Sequence, residues 1–136
     1  MKYLLDTHAF LWAAFEPRKL PKSVIAAIEQ PESDLLLSIA SLWEITILQS
    51  LGRIKLKTSI RKVAGLAESE LGVTLLPIEP DHLDLLRSLP FHHRDPFDRL
   101  LAAQSFLLQM PVIGKDESFD LYGVKRIWSP EGKMRS

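Results

Sequence analysis

The stretch "KYLLDTHAFLW", residues 2–12, decides the interpretation of the fold. An apolar run ends at a carboxylate, Asp6, and a second apolar run follows it directly. This pattern predicts a short buried strand over 2–5 and a helix over 8–15, with Asp6 at the carboxyl end of the strand. An Asp in that position either caps the following helix or belongs to a ligand site, because open α/β sheets bind ligands at the carboxyl ends of their strands.

Short apolar runs and helical patterns alternate along the rest of the chain. Pro21 is predicted as the first residue of one helix, and Ser38 or Ser41 as the cap of a buried helix that ends near Leu51. The alternation predicts an α/β domain whose parallel sheet is covered on both faces, and the absence of a linker predicts one domain over 1–136. The other predicted strands are 34–37, 73–78, 110–114 and 124–128, and the other helices are 21–30, 59–71, 80–88 and 96–109, with a helical turn at 116–121.

The composition of the chain excludes several classes of protein. None of its 136 residues is cysteine, which excludes disulfide frameworks, thiolate zinc sites and cysteine nucleophiles. The N-terminus differs from a secretory signal peptide because Asp6 interrupts its apolar stretch. The apolar segment 35–52 contains too many polar residues for a membrane span. We therefore expect a cytoplasmic protein without a membrane partner.

The charge of the chain is balanced, with 17 basic and 17 acidic residues. The chain therefore lacks the net positive charge that supports non-specific nucleic-acid binding. A local basic run lies between positions 53 and 62, and by itself such a run is typical of a solvated surface. Its members are Arg53, Lys55, Lys57, Arg61 and Lys62.

Two further acids stand where an isolated charge is unexpected. Asp116 repeats the pattern of Asp6, since it follows the predicted strand 110–114 and precedes a turn, and a helix cap is again the alternative. Glu44 is the only ionisable residue in 35–52, and no Lys or Arg lies three or four positions from it. Burial of an unpaired carboxylate is costly, so Glu44 either faces water on a narrow strip or is held by a cation, and we favour a divalent metal.

The segment "RDPFDRLLAAQ" contains two more acids in its first turn. Asp95 and Pro96 match an N-cap followed by the first helical residue, and Asp98 complements the helix dipole. Asp98 can fill that position and still point into a site. Acids without matching lysines, at element ends that gather at one edge of a sheet, indicate a hard cation such as Mg²⁺ or Mn²⁺, which supports phosphodiester hydrolysis.

The ordered motifs "LLDTHAFLW", "SLWEI", "RDPFDRLLAAQ" and "KDESF" resemble those of PIN domains, and in particular VapC-type toxins of bacterial and archaeal toxin–antitoxin pairs. The resemblance spans residue 2 to about residue 128. It implies a three-layer α/β/α fold with a five-stranded parallel sheet of order 3-2-1-4-5. That order makes the first and fourth strands neighbours, so it would bring Asp6 and Asp116 together.

The resemblance also implies a metal-dependent endoribonuclease, a hydrolase that uses Mg²⁺ or Mn²⁺ to cleave RNA. Thr7 would steady the site, and Asp95 would cap its helix or lie in the outer shell. Many family members have Thr or Ser where this chain has Gly114, which leaves Asp120 as an alternative to the last acid. The acidic quartet that would bind the metal and catalyse cleavage falls on Asp6, Glu44, Asp98 and Asp116.

The partners implied by the resemblance are an RNA substrate, a second copy of the chain in a homodimer, and a small antitoxin that covers the groove. DNA would be bound only through the antitoxin. Arg99, Lys115 and the 53–62 run would meet RNA phosphates. The family mechanism needs no histidine base, so we treat His92 and His93 as loop residues, and His8 is left without a role.

Two other classes of protein remain as alternatives. The first is a catalytically inactive PIN-like module that binds RNA or protein. The second is a receiver-type phosphoacceptor domain, which also clusters acids at strand ends. It is disfavoured because the chain shows neither a clear acidic pair after the first strand nor a lysine after the last. The aromatic residues Trp12, Trp43 and Phe97 are predicted to belong to the core or to a dimer surface.

Overall fold

The computed structural model describes residues 1–92 and 95–129, together with the backbone of 134–135. Short 3-10 helices cover Pro17–Lys19 and Glu117–Tyr122. The strands are β1 (Lys2–Leu5), β2 (Asp34–Ser38), β3 (Thr74–Leu76), β4 (Val112–Ile113), β5 (Arg126–Ile127) and β6 (Met134–Arg135). The α-helices are α1 (Thr7–Phe15), α2 (Lys22–Glu29), α3 (Ile39–Ser50), α4 (Ile60–Glu70), α5 (Pro80–Ser88) and α6 (Pro96–Leu108).

The described strands form one sheet in the order β3-β2-β1-β4-β5-β6. The first five are parallel to one another, which confirms the predicted α/β fold and the order 3-2-1-4-5. The prediction of five strands is incomplete, because β6 pairs antiparallel with β5 at the edge of the sheet. The sequence around Met134–Arg135 lacks the apolar run that surrounds each of the equally short strands β4 and β5, so its pattern does not predict a strand.

Local capping explains where the helices begin. Ser38 resolves the alternative for α3, since its hydroxyl accepts a hydrogen bond from the Ala40 amide at 3.1 Å. The predicted start of α2 is wrong by one residue: Pro21 occupies the cap position with extended backbone, and Lys22 is the first helical residue. Proline is compatible with either position, because neither requires its missing amide hydrogen.

The core lies on both faces of the sheet, as the alternation of elements predicts. Tyr3 and Leu5 of β1 pack into one buried cluster, which also contains Phe10 of α1. Leu4 faces the opposite side and joins a second cluster with Leu101 of α6. Since both faces of the sheet are covered, side chains that follow the strands meet solvent at the carboxyl edge, where a cavity borders Asp6. Within the described part of the chain, no helix is long and apolar enough to cross a bilayer.

Candidate metal centre

Asp6 occupies the carboxyl end of β1, beside β4. Its amide donates to the Ile113 carbonyl at 2.9 Å, and its Oδ1 accepts from the Ala9 amide at 2.7 Å. The side chain therefore caps α1, yet it also lines a cavity of about 480 Å³ together with Asp98 and Asp116. The two explanations of Asp6 offered by the sequence are compatible, because one carboxylate oxygen serves the helix and the group as a whole borders the cavity.

Gly114 leaves the space that the Asp6 carboxylate occupies. An ideal Cβ built on Gly114 would lie 2.8 Å from the Asp6 Cγ, which is closer than real Cβ atoms approach. A Thr or Ser at this position, as the resemblance led us to expect, would displace the Asp6 side chain. The glycine is thus tied to the position of the acid on the neighbouring strand.

Burial raises the pKa of Asp6 to about 6, from an ordinary value of 3.8. The hydrogen bond from the Ala9 amide and the charge of His8 oppose this rise, while the negative charges of Glu44 and Asp116 add to it. Because the side chain is only 5% exposed, water contributes little to screening. Asp6 therefore carries its charge at a cost in free energy that a nearby cation would offset.

Glu44 projects from α3 and is held by Thr7. The Thr7 hydroxyl donates to the Glu44 Oε1 at 2.6 Å and lies 3.0 Å from the Ser41 hydroxyl. Thr7 therefore holds the carboxylate of the second predicted acid. Burial raises the pKa of Glu44, the hydrogen bond from Thr7 lowers it, and the nearby Asp95 raises it further.

The first turn of α6 contributes two acids. The Asp95 Oδ1 caps the helix by accepting from the Phe97 amide at 2.8 Å, as predicted. One carboxylate oxygen from each of Glu44, Asp95 and Asp98 lies within 4.8 Å of the other two. The sequence predicts Asp95 only as a cap or an outer-shell group. Its spacing of three residues from Asp98, which places both side chains on one helix face, is the signal that could have brought it into the site.

The pKa of Asp98 is raised further above its ordinary value than that of Asp6. Burial raises its pKa to about 8, and the negative charges of Asp95, Asp6, Glu44 and Asp116 add to the rise. Asp98 thus interacts with acids from four other points of the chain. The acids whose oxygens lie within 4.8 Å of one another are Glu44, Asp95 and Asp98, whereas Asp6 and Asp116 share with Asp98 the lining of the cavity.

Asp116 and Asp120 have different surroundings. Asp116 caps the 3-10 helix, since its Oδ1 accepts from the Ser118 amide at 2.9 Å, and its side chain lines the cavity. The guanidinium of Arg126, which is 1% exposed, binds the two oxygens of Asp120 at 3.0 and 3.1 Å. This engagement argues against Asp120 as the replacement for Asp116. Arg126 also donates to the carbonyls of Gly114 and Lys115, so the buried arginine braces the segment that leads to Asp116.

The two predicted RNA contacts differ in accessibility. Lys115 is exposed at the rim of the cavity. Arg99 is only 8% exposed, and its Nη2 donates to the carbonyls of Leu86 and Leu89 at 3.1 and 2.8 Å. This burial and these bonds to backbone carbonyls at the end of α5 argue against Arg99 as an RNA contact, which no observation tests directly.

Several aromatic and histidine side chains surround the site. His8 is exposed and lines the cavity, although the sequence left it without a role. Trp43 is 56% exposed, so it lies outside the core, and its ring meets that of Phe97 edge to face at 5.0 Å. His92 contacts the ring of Tyr122 at 5.1 Å. His93 lies outside the described residues.

Comparisons with known proteins identify the family. The PIN domain model matches residues 3–125, so the chain belongs to the PIN domain family, as its motifs indicated. PIN domains are generally metal-dependent nucleases, and the acidic cluster described above fits that class. A comparison with curated proteins gives no significant match.

Two solved structures share the fold. VapBC2 from Rickettsia felis, bound to a DNA fragment from their promoter, has a TM-score of 0.66 and 13% identity, with 93% of this chain and 99% of that chain covered. FitAcB from Neisseria gonorrhoeae has a TM-score of 0.64 and 17% identity, with 95% of this chain and 98% of that chain covered. The similarity therefore extends over nearly the full length of each chain.

Proposed function

We propose that the chain, as one PIN-like domain over 1–136, is a VapC-type toxin: an endoribonuclease that uses Mg²⁺ or Mn²⁺ to hydrolyse RNA phosphodiester bonds. The observation that carries this proposal is the gathering of acids from distant parts of the chain at the carboxyl edge of β1 and β4. The catalytic and metal-binding residues in this proposal are Asp6, Glu44, Asp98 and Asp116, with Asp95 as an additional candidate ligand.

The donor set fits a hard divalent cation. Oxygens of Glu44, Asp95 and Asp98 lie close enough to share one ion, and Asp98 also borders the cavity lined by Asp6 and Asp116. Carboxylate oxygens are the ligands that Mg²⁺ and Mn²⁺ favour. When bound, such an ion would increase the acidity of water and stabilise negative charge on a phosphodiester.

Hydrogen bonds from neighbouring residues orient two of these acids. The capping bond from the Ala9 amide orients the Asp6 carboxylate, and the Thr7 hydroxyl orients that of Glu44. The raised pKa of Asp98 means that it gives up its proton readily only when positive charge is supplied. Lys115, exposed at the rim, is suited to meet an RNA phosphate.

The variant Asp6→Asn is expected to lose cleavage of single-stranded RNA by at least about 100-fold in Mn²⁺ or Mg²⁺. Asparagine keeps an oxygen that can accept from the Ala9 amide, so helix capping survives while the ligand charge is lost. Cleavage is measured on a labelled RNA with purified protein, and EDTA should stop the wild-type reaction. Asp34→Asn, an exposed acid at the opposite end of β2, is the matched control. A wild-type rate in Asp6→Asn would contradict the proposal.

The proposed partners are a small antitoxin and a second copy of the chain. The fold shared with VapBC2, which was solved with promoter DNA, supports an antitoxin partner through which DNA is bound indirectly. A cytoplasmic location follows from an RNA substrate. Support for a homodimer comes from α3, which exposes Ile39 and Trp43 one turn apart, with Phe97 of α6 beside Trp43.

Substitution of Trp43 by lysine is expected to convert the proposed homodimer to a monomer at micromolar concentration. A charge in the centre of an apolar contact would lose its hydration on association. Light scattering coupled to size exclusion measures the mass. Leu51→Lys, an exposed apolar residue just past the other end of α3, is the control and should leave the dimer intact. A dimer that survives Trp43→Lys would show that this face is not the interface.

A further inference from the structure

The acidic cavity continues into a second groove. His8 and Trp12 line both hollows, so the two form one surface that runs along α1. The second hollow has a volume of about 290 Å³ and lies between α1 and the segment 54–56. Apart from the shared pair, its lining is made of Leu11, Phe15, Glu16, Lys19, Ile54, Lys55 and Leu56.

An aromatic pair stands where the two hollows meet. The rings of Trp12 and Trp128 have centroids 5.7 Å apart and an interplanar angle of 43°. Both side chains are half-buried, so each keeps an accessible part while its packing against the core limits its motion. A fixed, partly exposed indole is a suitable surface on which an unpaired base can stack.

Each of the two hollows is lined by an exposed lysine. Lys115 is exposed at the rim of the acidic cavity, and Lys55 is exposed and lines the second groove. Lys55 belongs to the basic run, which contains no acidic residue between positions 53 and 62. Lys19 contributes less net charge, since it forms an ion pair with Glu16 at 2.5 Å. In a chain with balanced charge, this local excess favours a polyanion in the second groove.

We propose that single-stranded RNA follows this surface, with the phosphate to be cut in the acidic cavity, a base against Trp12 and a further phosphate at Lys55. This inference rests on the proposed function and specifies the form of its substrate. A single strand fits because its bases are free to stack, whereas the bases of a duplex are already paired. The two lysines favour RNA over an apolar peptide as the occupant, because a peptide would leave their charges without partners.

Binding of a labelled ten-nucleotide single-stranded RNA tests this surface. Fluorescence anisotropy is measured in Mn²⁺ over a series of salt concentrations, in the Asp6→Asn background so that the RNA stays intact. Lys55→Ala should weaken binding about fivefold and reduce the slope of log K against log salt by about 0.7, the value for one lost phosphate contact on a single strand. Trp12→Leu should weaken binding about tenfold without changing the slope, because stacking releases no counterions.

Controls separate this surface from general effects of charge and folding. Lys125→Ala removes an exposed lysine at the opposite edge of the sheet and should bind as the parent does. Trp12→Phe keeps an aromatic ring and should recover most of the affinity lost in Trp12→Leu. Thermal melts of each variant show that the fold is retained.

The outcomes distinguish this inference from the proposed function. If the wild type cleaves RNA while Lys55→Ala and Trp12→Leu both bind as the parent does, the path along α1 is overturned and the nuclease stands. Unchanged RNA binding by both variants is also the result expected if the groove binds a peptide instead of RNA. If the wild type neither binds nor cleaves RNA in Mn²⁺, the proposed function fails, and the path fails with it.

Discussion

Asp98→Asn is expected to stabilise the metal-free protein at pH 8.5 while abolishing metal-dependent RNA cleavage. Burial and the charges of four neighbouring acids raise the pKa of Asp98 to about 8, so its ionised form is unfavourable in the folded state. Asparagine removes that charge and keeps the shape. We expect a gain of about 2 kcal/mol, reduced because the side chain retains some contact with solvent. For a chain of this size, this corresponds to a rise in Tm of about 7 °C.

Thermal melts in EDTA and in Mn²⁺ measure this effect. In Mn²⁺ the order is expected to reverse, because a ligand that binds only the native state stabilises the wild type more than a variant lacking one carboxylate. Asp34→Asn, which removes an exposed acid far from the cluster, should show neither change. A lower Tm for Asp98→Asn than for the wild type in EDTA would contradict the repulsion among the acids around Asp98.

The second large effect is a fall in the free energy of unfolding as pH rises in EDTA. The folded pKa of Asp6 is about 6 and that of Asp98 about 8, both above an ordinary value of 3.8. Between pH 4 and pH 8 the folded state therefore holds more protons than the unfolded state, and its stability must decline with pH. Asp6 alone would contribute a loss on the order of 3 kcal/mol. The loss begins near the unfolded pKa and is complete above the folded one.

Saturating Mg²⁺ or Mn²⁺ should flatten this dependence, since the ion favours the deprotonated acids. Urea unfolding from pH 4.5 to pH 9, with EDTA or with the ion, provides the measurement. Asp98→Asn should have a shallower slope in EDTA. A stability that rises with pH in EDTA would contradict the repulsive cluster. If the ion gives no stabilisation at any pH, the catalytically inactive binding module becomes the better description.

Much of the architecture follows from local patterns. The apolar runs 2–5 and 34–37 mark the central strands, because residues buried on both faces of a sheet form short continuous apolar segments. Asp95 and Pro96 mark the start of α6 because capping involves only neighbouring residues. The strand Met134–Arg135 has no such mark, since no apolar run surrounds it in the sequence and β5 supplies its hydrogen bonds.

The candidate site also combines features that local sequence patterns predict with features that they do not. The positions of Asp6 and Asp116 after strands and the isolation of Glu44 were visible in the sequence. The burial of Arg99 could not be predicted from the sequence, because a charged residue on a helix usually faces water. Only the packing of α5 against α6 offers its guanidinium two backbone carbonyls. The capture of Asp120 by Arg126 likewise depends on the side-chain direction from β5.

By itself, the sequence determined which segments are strands and helices and which acids stand at their ends, because hydrophobic periodicity and capping act over a few neighbouring residues. Only the tertiary structure decided that Asp95 and Asp98 approach Glu44, and that Gly114 makes room for the Asp6 carboxylate. Those distances join atoms from elements far apart in the chain. They are set by how the helices pack on the sheet, which local patterns do not specify.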